Sequence, residues 1–174
     1  MTPQISHASE ILRYAYGETS LGDLVVAKSA KGVVALFIGD EREKLLRDLT
    51  GAFPSAKFVL DPLGLAETVV KAMALVEAPH LGTDLSLDLR GSPVELVVWN
   101  ALQAIPPGET RTYGAIARDL PIPATAQDVG AACAANRIAI AVPCHRVVKS
   151  DGSISGYRWG VKRKRRLINT EGVP

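Results

Sequence analysis

Two apolar runs, Leu24-Val25-Val26-Ala27 and Val33-Val34-Ala35-Leu36-Phe37-Ile38, flank the polar segment Ser29-Ala30-Lys31-Gly32. Short runs rich in β-branched residues around a glycine-containing turn predict a hairpin. The period then lengthens. Leu45, Leu46 and Leu49 share one face of a helix that Asp40 can cap and that the 51–54 segment stops. A second amphipathic helix is predicted over 62–76, closed by Pro79. Leu85, Leu87 and Leu89 alternate with Ser86 and Asp88, the period of a half-buried strand.

The pattern changes at residues 89–91, which places a domain boundary there: a small α/β domain over 1–89 and a mostly helical one over 90–174. Ser92-Pro93-Val94-Glu95 combines a cap residue, proline at the first helical position and Glu three residues after the cap. Val94, Val98, Trp99, Leu102 and Ile105 mark the buried stripe, and Pro106-Pro107-Gly108 ends the helix. Thr112 can cap a helix over 113–120, which Pro121-Ile122-Pro123 terminates. Thr125-Ala126-Gln127-Asp128 repeats the capping spacing and opens an alanine-rich helix to about residue 135, with Asn136 suited to a left-handed C-cap. Helix, proline turn and small-residue helix is the pattern of a helix-turn-helix; small residues allow close approach of a backbone, DNA's or the protein's own. Ser150-Asp151-Gly152-Ser153 is a hairpin signal whose strand pair would form a wing. A basic helix over 161–170 closes the chain at Gly172.

Composition narrows the class. The 174 residues are 47% apolar, enough for a packed core, yet the longest apolar stretches, 33–38 and 138–142, fall far short of the roughly 18 residues of a membrane span. Met1-Thr2-Pro3-Gln4-Ile5-Ser6-His7 lacks the basic and apolar regions of a signal peptide, so a cytoplasmic protein is expected. Two cysteines without such a signal make no disulfide framework, and no Cys/His cluster offers four zinc ligands. His7 and His80 are isolated. The net charge of +2 hides an asymmetry: residues 1–89 hold 8 Lys/Arg against 12 Asp/Glu, and residues 90–174 hold 12 against 6. A basic module beside an acidic one suits a polyanion partner such as nucleic acid, or simply a solvated surface.

The chemistry concentrates in Val142-Pro143-Cys144-His145-Arg146-Val147-Val148. A thiol beside an imidazole can become a thiolate nucleophile. Peptide cleavage, redox work, acyl transfer and alkyl transfer from a nucleic-acid base all use such a thiol. Sequence neighbours on a strand point to opposite faces, so direct contact of Cys144 with His145 requires an irregular backbone, which Pro143 can supply. Glu171 is the best carboxylate in the basic half to order the imidazole. Cys133 reads as a packing residue, and the Lys162-Arg163-Lys164-Arg165-Arg166 run as a phosphate contact or a solvated face.

Pro143-Cys144-His145-Arg146-Val147-Val148, followed by Ser155-Gly156-Tyr157-Arg158-Trp159-Gly160, resembles the O6-alkylguanine-DNA alkyltransferases, in particular the C-terminal module of bacterial Ada proteins. The resemblance extends over nearly the whole chain; the four-cysteine zinc module of full Ada proteins has no counterpart in these residues. It implies a ribonuclease H-like N-terminal domain with a three-stranded sheet, and a C-terminal winged helix-turn-helix. It implies direct-reversal repair: Cys144 accepts a methyl or alkyl group from guanine O6, or thymine O4, once per molecule, without metal or cofactor. His145 would be a base acting through a water, Glu171 would orient it, Asn136 would stabilise the turn, and Tyr113 would press on the nucleotide's phosphate and help protonate the departing guanine. Val147, Val148, Ser155, Tyr157, Arg158 and Trp159 would line the pocket. The partner would be DNA, met in its minor groove by Thr125, Ala126, Gln127, Arg137 and Arg146, with the lesion flipped out of the stack and the protein acting as a monomer away from membranes. One position departs: Gln127 stands where the family carries an arginine wedge, and Asp128 beside it adds an anion. This leaves open a damage-binding or regulatory module with weak transfer.

Overall fold

The computed structural model describes residues 9–172; His7 and the N-terminal heptapeptide lie outside the described residues. The expected hairpin is formed by β2 (Gly22–Lys28) and β3 (Val33–Gly39), antiparallel with Val25 opposite Phe37. Two further strands, β1 (Ile11–Thr19) and β4 (Lys57–Leu60), extend it to a four-stranded sheet of order β3-β2-β1-β4, with β4 parallel to β1. That is one strand more than expected, and the 85–89 segment is not among them. Its alternating leucines make a single bridge, in which Val33 N donates to Ser86 O and Asp88 N to Val33 O, both at 2.8 Å. The approach requires Gly32, because a Cβ there would lie 2.6 Å from Ser86 O.

Helix α1 (Arg42–Ala52) begins one residue after Glu41 rather than at a cap by Asp40, whose carboxylate instead accepts from Arg163 at 2.7 Å. Helix α2 (Ala66–Glu77) starts later than predicted because Asp61 Oδ1 accepts from Gly64 N at 2.9 Å and holds 61–64 as a turn. The two helices cover opposite sheet faces. Gly17 and Gly39 point to opposite faces by register, and a Cβ would meet Met73 of α2 at the first and Leu45 of α1 at the second.

The second half begins with α3 (Pro93–Gln103). Its capping box is complete: Ser92 Oγ accepts from Glu95 N, and Glu95 accepts from Ser92 N. Val98, Trp99, Leu102 and Ile105 are buried as the spacing predicts, but Val94 stays 40% exposed. Trp99 Nε1 donates to Ala132 O at 2.8 Å, so α3 is fastened to α5 (Ala126–Ala134). Between them run β5 (Arg111–Thr112) and α4 (Tyr113–Asp119), capped by Thr112; Thr125 and Asp128 form the second capping box. No wing hairpin forms. β6 (Val147–Val148) pairs in parallel with β5, and past the turn at 150–153 the chain does not return as a strand, its side chains Ser155 and Arg158 bonding inward instead. Helix α6 (Val161–Thr170) lies where the sequence places it.

The sheet positions the cysteine. Leu36 N donates to Arg137 O at 2.9 Å and Ala139 N to Leu36 O at 3.0 Å, so the segment leading to Cys144 is pinned to the edge of β3 by an isolated bridge. One apolar core runs through both halves, from Leu24 and Phe37 to Val98, Val129, Val142 and Leu167.

Candidate active site

Cys144 opens a single 3-10 turn, Cys144–Arg146, entered through Pro143. Side chains on such a turn diverge by about 120° rather than the strand's alternation, so Cys144 and His145 serve different environments. Upstream, Asn136 is buried and is not left-handed as predicted. That backbone state belongs to Ile140, at φ 70°, a conformation costing a β-branched residue about 1–3 kcal/mol. Asn136 holds the segment by its side chain: Oδ1 accepts from Ile138 N, and Nδ2 donates to Val142 O at 2.9 Å and to Cys144 Sγ at 3.3 Å. Burial raises the Cys144 thiol pKa, opposed by the Asn136 hydrogen bond and the charges of Lys164 and Arg158. At rest Cys144 is a thiol and needs a base.

His145 is fully buried, with Nε2 2.7 Å from Glu171 Oε1. Glu171 also takes Arg146 Nε and Nη2, the latter at 2.7 Å, while Arg146 Nη1 donates to Ile105 O. Burial would raise the Glu171 pKa, but the bonds from His145 and Arg146 outweigh it and bring it to about 2. Glu171 is therefore an anion and accepts, which makes His145 Nε2 the donor and leaves Nδ1 with a free lone pair. That atom is buried without a protein partner. Burial lowers the His145 pKa against the pull of Glu171, so the imidazole is a neutral base near pH 7. Arg146, expected on the DNA, is instead buried as the counter-ion of Glu171.

Cys144 lies on the wall of a cavity of about 470 Å³, lined by Tyr113, Gly130, Cys133, Ala134, Gly156, Tyr157 and Arg158. Of the predicted pocket residues, Tyr157 and Arg158 are on its wall. Val147 and Val148 are not: they are buried in the strand paired to β5. Trp159 stands behind Tyr157, ring centroids 5.3 Å apart, and Ser155 hydrogen-bonds Tyr113 Oη from outside the wall. Burial pushes the Cys133 thiol up to about 12, which keeps it protonated beside Cys144. Lys164 was hidden in a basic run; it is fully buried, and its spacing to Leu167 and Ile168 along the inward stripe is the signal that could have revealed it.

Thr125, Ala126, Gln127 and Asp128 are exposed together at the start of α5, and Arg118 is exposed on α4. Arg137 is half-buried, its guanidinium 5.3 Å from the Phe53 ring centroid and donating to Arg90 O.

Comparison with known proteins covers the same ground. Residues 93–173 match the model of the 6-O-methylguanine DNA methyltransferase DNA binding domain. The chain is 40% identical over 170 residues to the bifunctional transcriptional activator/DNA repair enzyme Ada of Escherichia coli (strain K12), which covers 97% of this chain and 48% of that protein. It spans about half the length of the two Ada proteins it matches. It is 36% identical over 149 residues to the inducible methylated-DNA--protein-cysteine methyltransferase of Bacillus subtilis, covering 84% of this chain and 82% of the relative. The crystal structure of Mycobacterium tuberculosis OGT in complex with DNA is similar at a TM-score of 0.76 and 34% identity, over 91% of this chain and 92% of that one. Together with the cysteine turn, the buried His145–Glu171 pair and the cavity beside them, these likenesses place the chain in the 6-O-methylguanine DNA methyltransferase family.

Proposed function

We propose that this chain performs direct-reversal DNA repair, moving a methyl or small alkyl group from guanine O6 in DNA to Cys144, once per molecule. The observation that carries the reading is the placement of Cys144: on a cavity wall of nucleobase size, its Sγ held by Asn136 and followed by a buried neutral imidazole paired to an anionic Glu171. In this reading His145 Nδ1 takes the Cys144 proton through a water, and Glu171 stabilises the imidazolium that results. The thiolate attacks the alkyl carbon in line, the C–O6 bond breaks, and the electron pair stays on the purine. Tyr113 supplies the proton that neutralises the departing guanine. The thioether formed has no easy leaving group, so each molecule acts once.

DNA is the proposed partner. Thr125, Ala126 and Gln127 at the exposed start of α5 would enter the minor groove, and the flipped base would enter the cavity beside Tyr157 and Arg158. The likeness to an alkyltransferase crystallised with DNA supports this. We read residues 1–89 as a ribonuclease H-like support and residues 90–174 as a helix-turn-helix unit of α4 and α5 with a turn in place of a wing, in a cytoplasmic monomer. Gln127 and Asp128, exposed where the family carries its arginine, favour a second reading as a binding module with weak transfer.

Incubation with an oligonucleotide carrying O6-methylguanine, followed by mass measurement, tests the proposal. One methyl on the peptide containing Cys144, absent in Cys144→Ser, is expected; an unchanged mass would favour the binding module.

A further inference from the structure

Lys164 sits on the inward side of α6 with no exposed surface, and among the described residues no carboxylate lies within ion-pair distance of its ammonium. An ammonium so placed is costly unless its hydrogens find acceptors. It donates to Ser155 Oγ at 2.9 Å. Ser155 Oγ is also hydrogen-bonded to Tyr113 Oη, and Tyr113 lines the cavity with Cys144. Hydrogen counting sets the direction of the first link. An ammonium has no lone pair, so Ser155 accepts from Lys164. Among the described residues Ser155 Oγ has these two partners; either oxygen can donate across the Ser155–Tyr113 contact, and when the serine does, the phenol's own hydrogen is left for the cavity.

We propose that Ser155 is a positioning residue for Tyr113, bridging the buried Lys164 ammonium to the phenol so that the Tyr113 O–H is presented to the departing purine. The proposal rests on the methyl-transfer reading above. In that step the Cys144 S–C bond forms and the C–O6 bond breaks with its electron pair left on the purine. A proton passes from Tyr113 Oη to the purine, and the phenolate left behind accepts the Ser155 O–H, with the Lys164 charge behind it, until solvent returns a proton. Burial raises the Tyr113 pKa above the usual phenol value, and the Ser155 bond opposes that rise.

The test compares single-turnover methyl transfer from an O6-methylguanine oligonucleotide in the full chain and in Ser155→Ala, Ser155→Thr, Tyr113→Phe and the Ser155→Ala/Tyr113→Phe double variant. Alkylation of Cys144 by iodoacetamide, which needs no purine protonation, is the control. Ser155→Ala is expected to slow methyl transfer about tenfold, part of the range a positioned acid supplies. Ser155→Thr restores the rate, the double variant is no slower than Tyr113→Phe, and iodoacetamide reacts equally with the parent and Ser155→Ala. Unchanged transfer in Ser155→Ala, additive losses in the double variant, or a parallel fall in the iodoacetamide rate would overturn the proposal. If the unaltered chain transfers no methyl, the methyl-transfer reading itself fails, and the positioning role with it.

Discussion

Glu171 receives His145 and Arg146 on one carboxylate whose side chain is 1% exposed. Among the described residues Arg146 has no other anion within ion-pair distance, so Glu171→Gln leaves a buried guanidinium without its counter-ion and is expected to cost about 3 kcal/mol by urea unfolding. It also removes the acceptor that fixes the His145 tautomer, so methyl transfer should fall together with stability. The pH dependence follows from the same pair. Unfolded, Glu171 titrates near 4.5, and folded near about 2. Between these values the unfolded chain binds a proton that the native state does not, so stability drops as pH falls through that window. His145 acts in the same sense from higher pH, since the fold holds it neutral below the usual 6.5. The urea midpoint should be level near pH 7, decline below about 6.5 and steepen below about 4.5. A midpoint that stayed constant from pH 7 to pH 4 would contradict this assignment of charges.

At the scale of elements, the start of α5 decides how DNA would be handled. Unpairing and unstacking a base costs a few kcal/mol, and in the proposed reading the short, neutral Gln127 stands where the resemblance implies an arginine wedge. Gln127→Arg is expected to tighten binding to duplex DNA and raise the repair rate on duplex more than on a single strand. Titration of labelled duplex and single-stranded oligonucleotides at fixed salt checks it, and equal affinities in parent and variant would count against it. Asp128 is not free to be removed without cost, because it accepts from Thr125 N at 2.8 Å and completes the capping box that the spacing predicts. Capping signals of this kind are local, which is why α3, α4 and α5 were legible within a residue or two. β1 was not legible: Leu12, Ala15 and Gly17 are its buried positions, too irregular for a period-two pattern, and its order comes from β2 on one side and β4 on the other.

Across the whole molecule, the basic C-terminal run belongs largely to the fold. Arg163 donates to Leu21 O, Trp159 O and Asp40, and Arg166 donates to Ser20 O, so α6 is clasped to the turn between β1 and β2. Part of the charge asymmetry between the halves is thus complementarity within the chain. Arg163→Ala should lower stability by about 2 kcal/mol, with two carbonyls losing a charged donor. Lys162→Ala, exposed on the same helix, should change it little; equal losses in the two variants would mean the clasp contributes nothing. Local spacing determined the hairpin, the capped helices and the Pro-Cys-His-Arg stretch, because caps, periods and a motif are properties of neighbours; Glu171, 26 residues from His145, was reached by elimination among the carboxylates of the basic half and by the family resemblance. The burial of Arg146, the withdrawal of Val147 and Val148 from the cavity, the missing wing and the Lys164–Ser155–Tyr113 chain were decided by tertiary structure. Each depends on which distant segment occupies the space beside a residue, and that is set only when β3, α5 and α6 close around the cysteine turn.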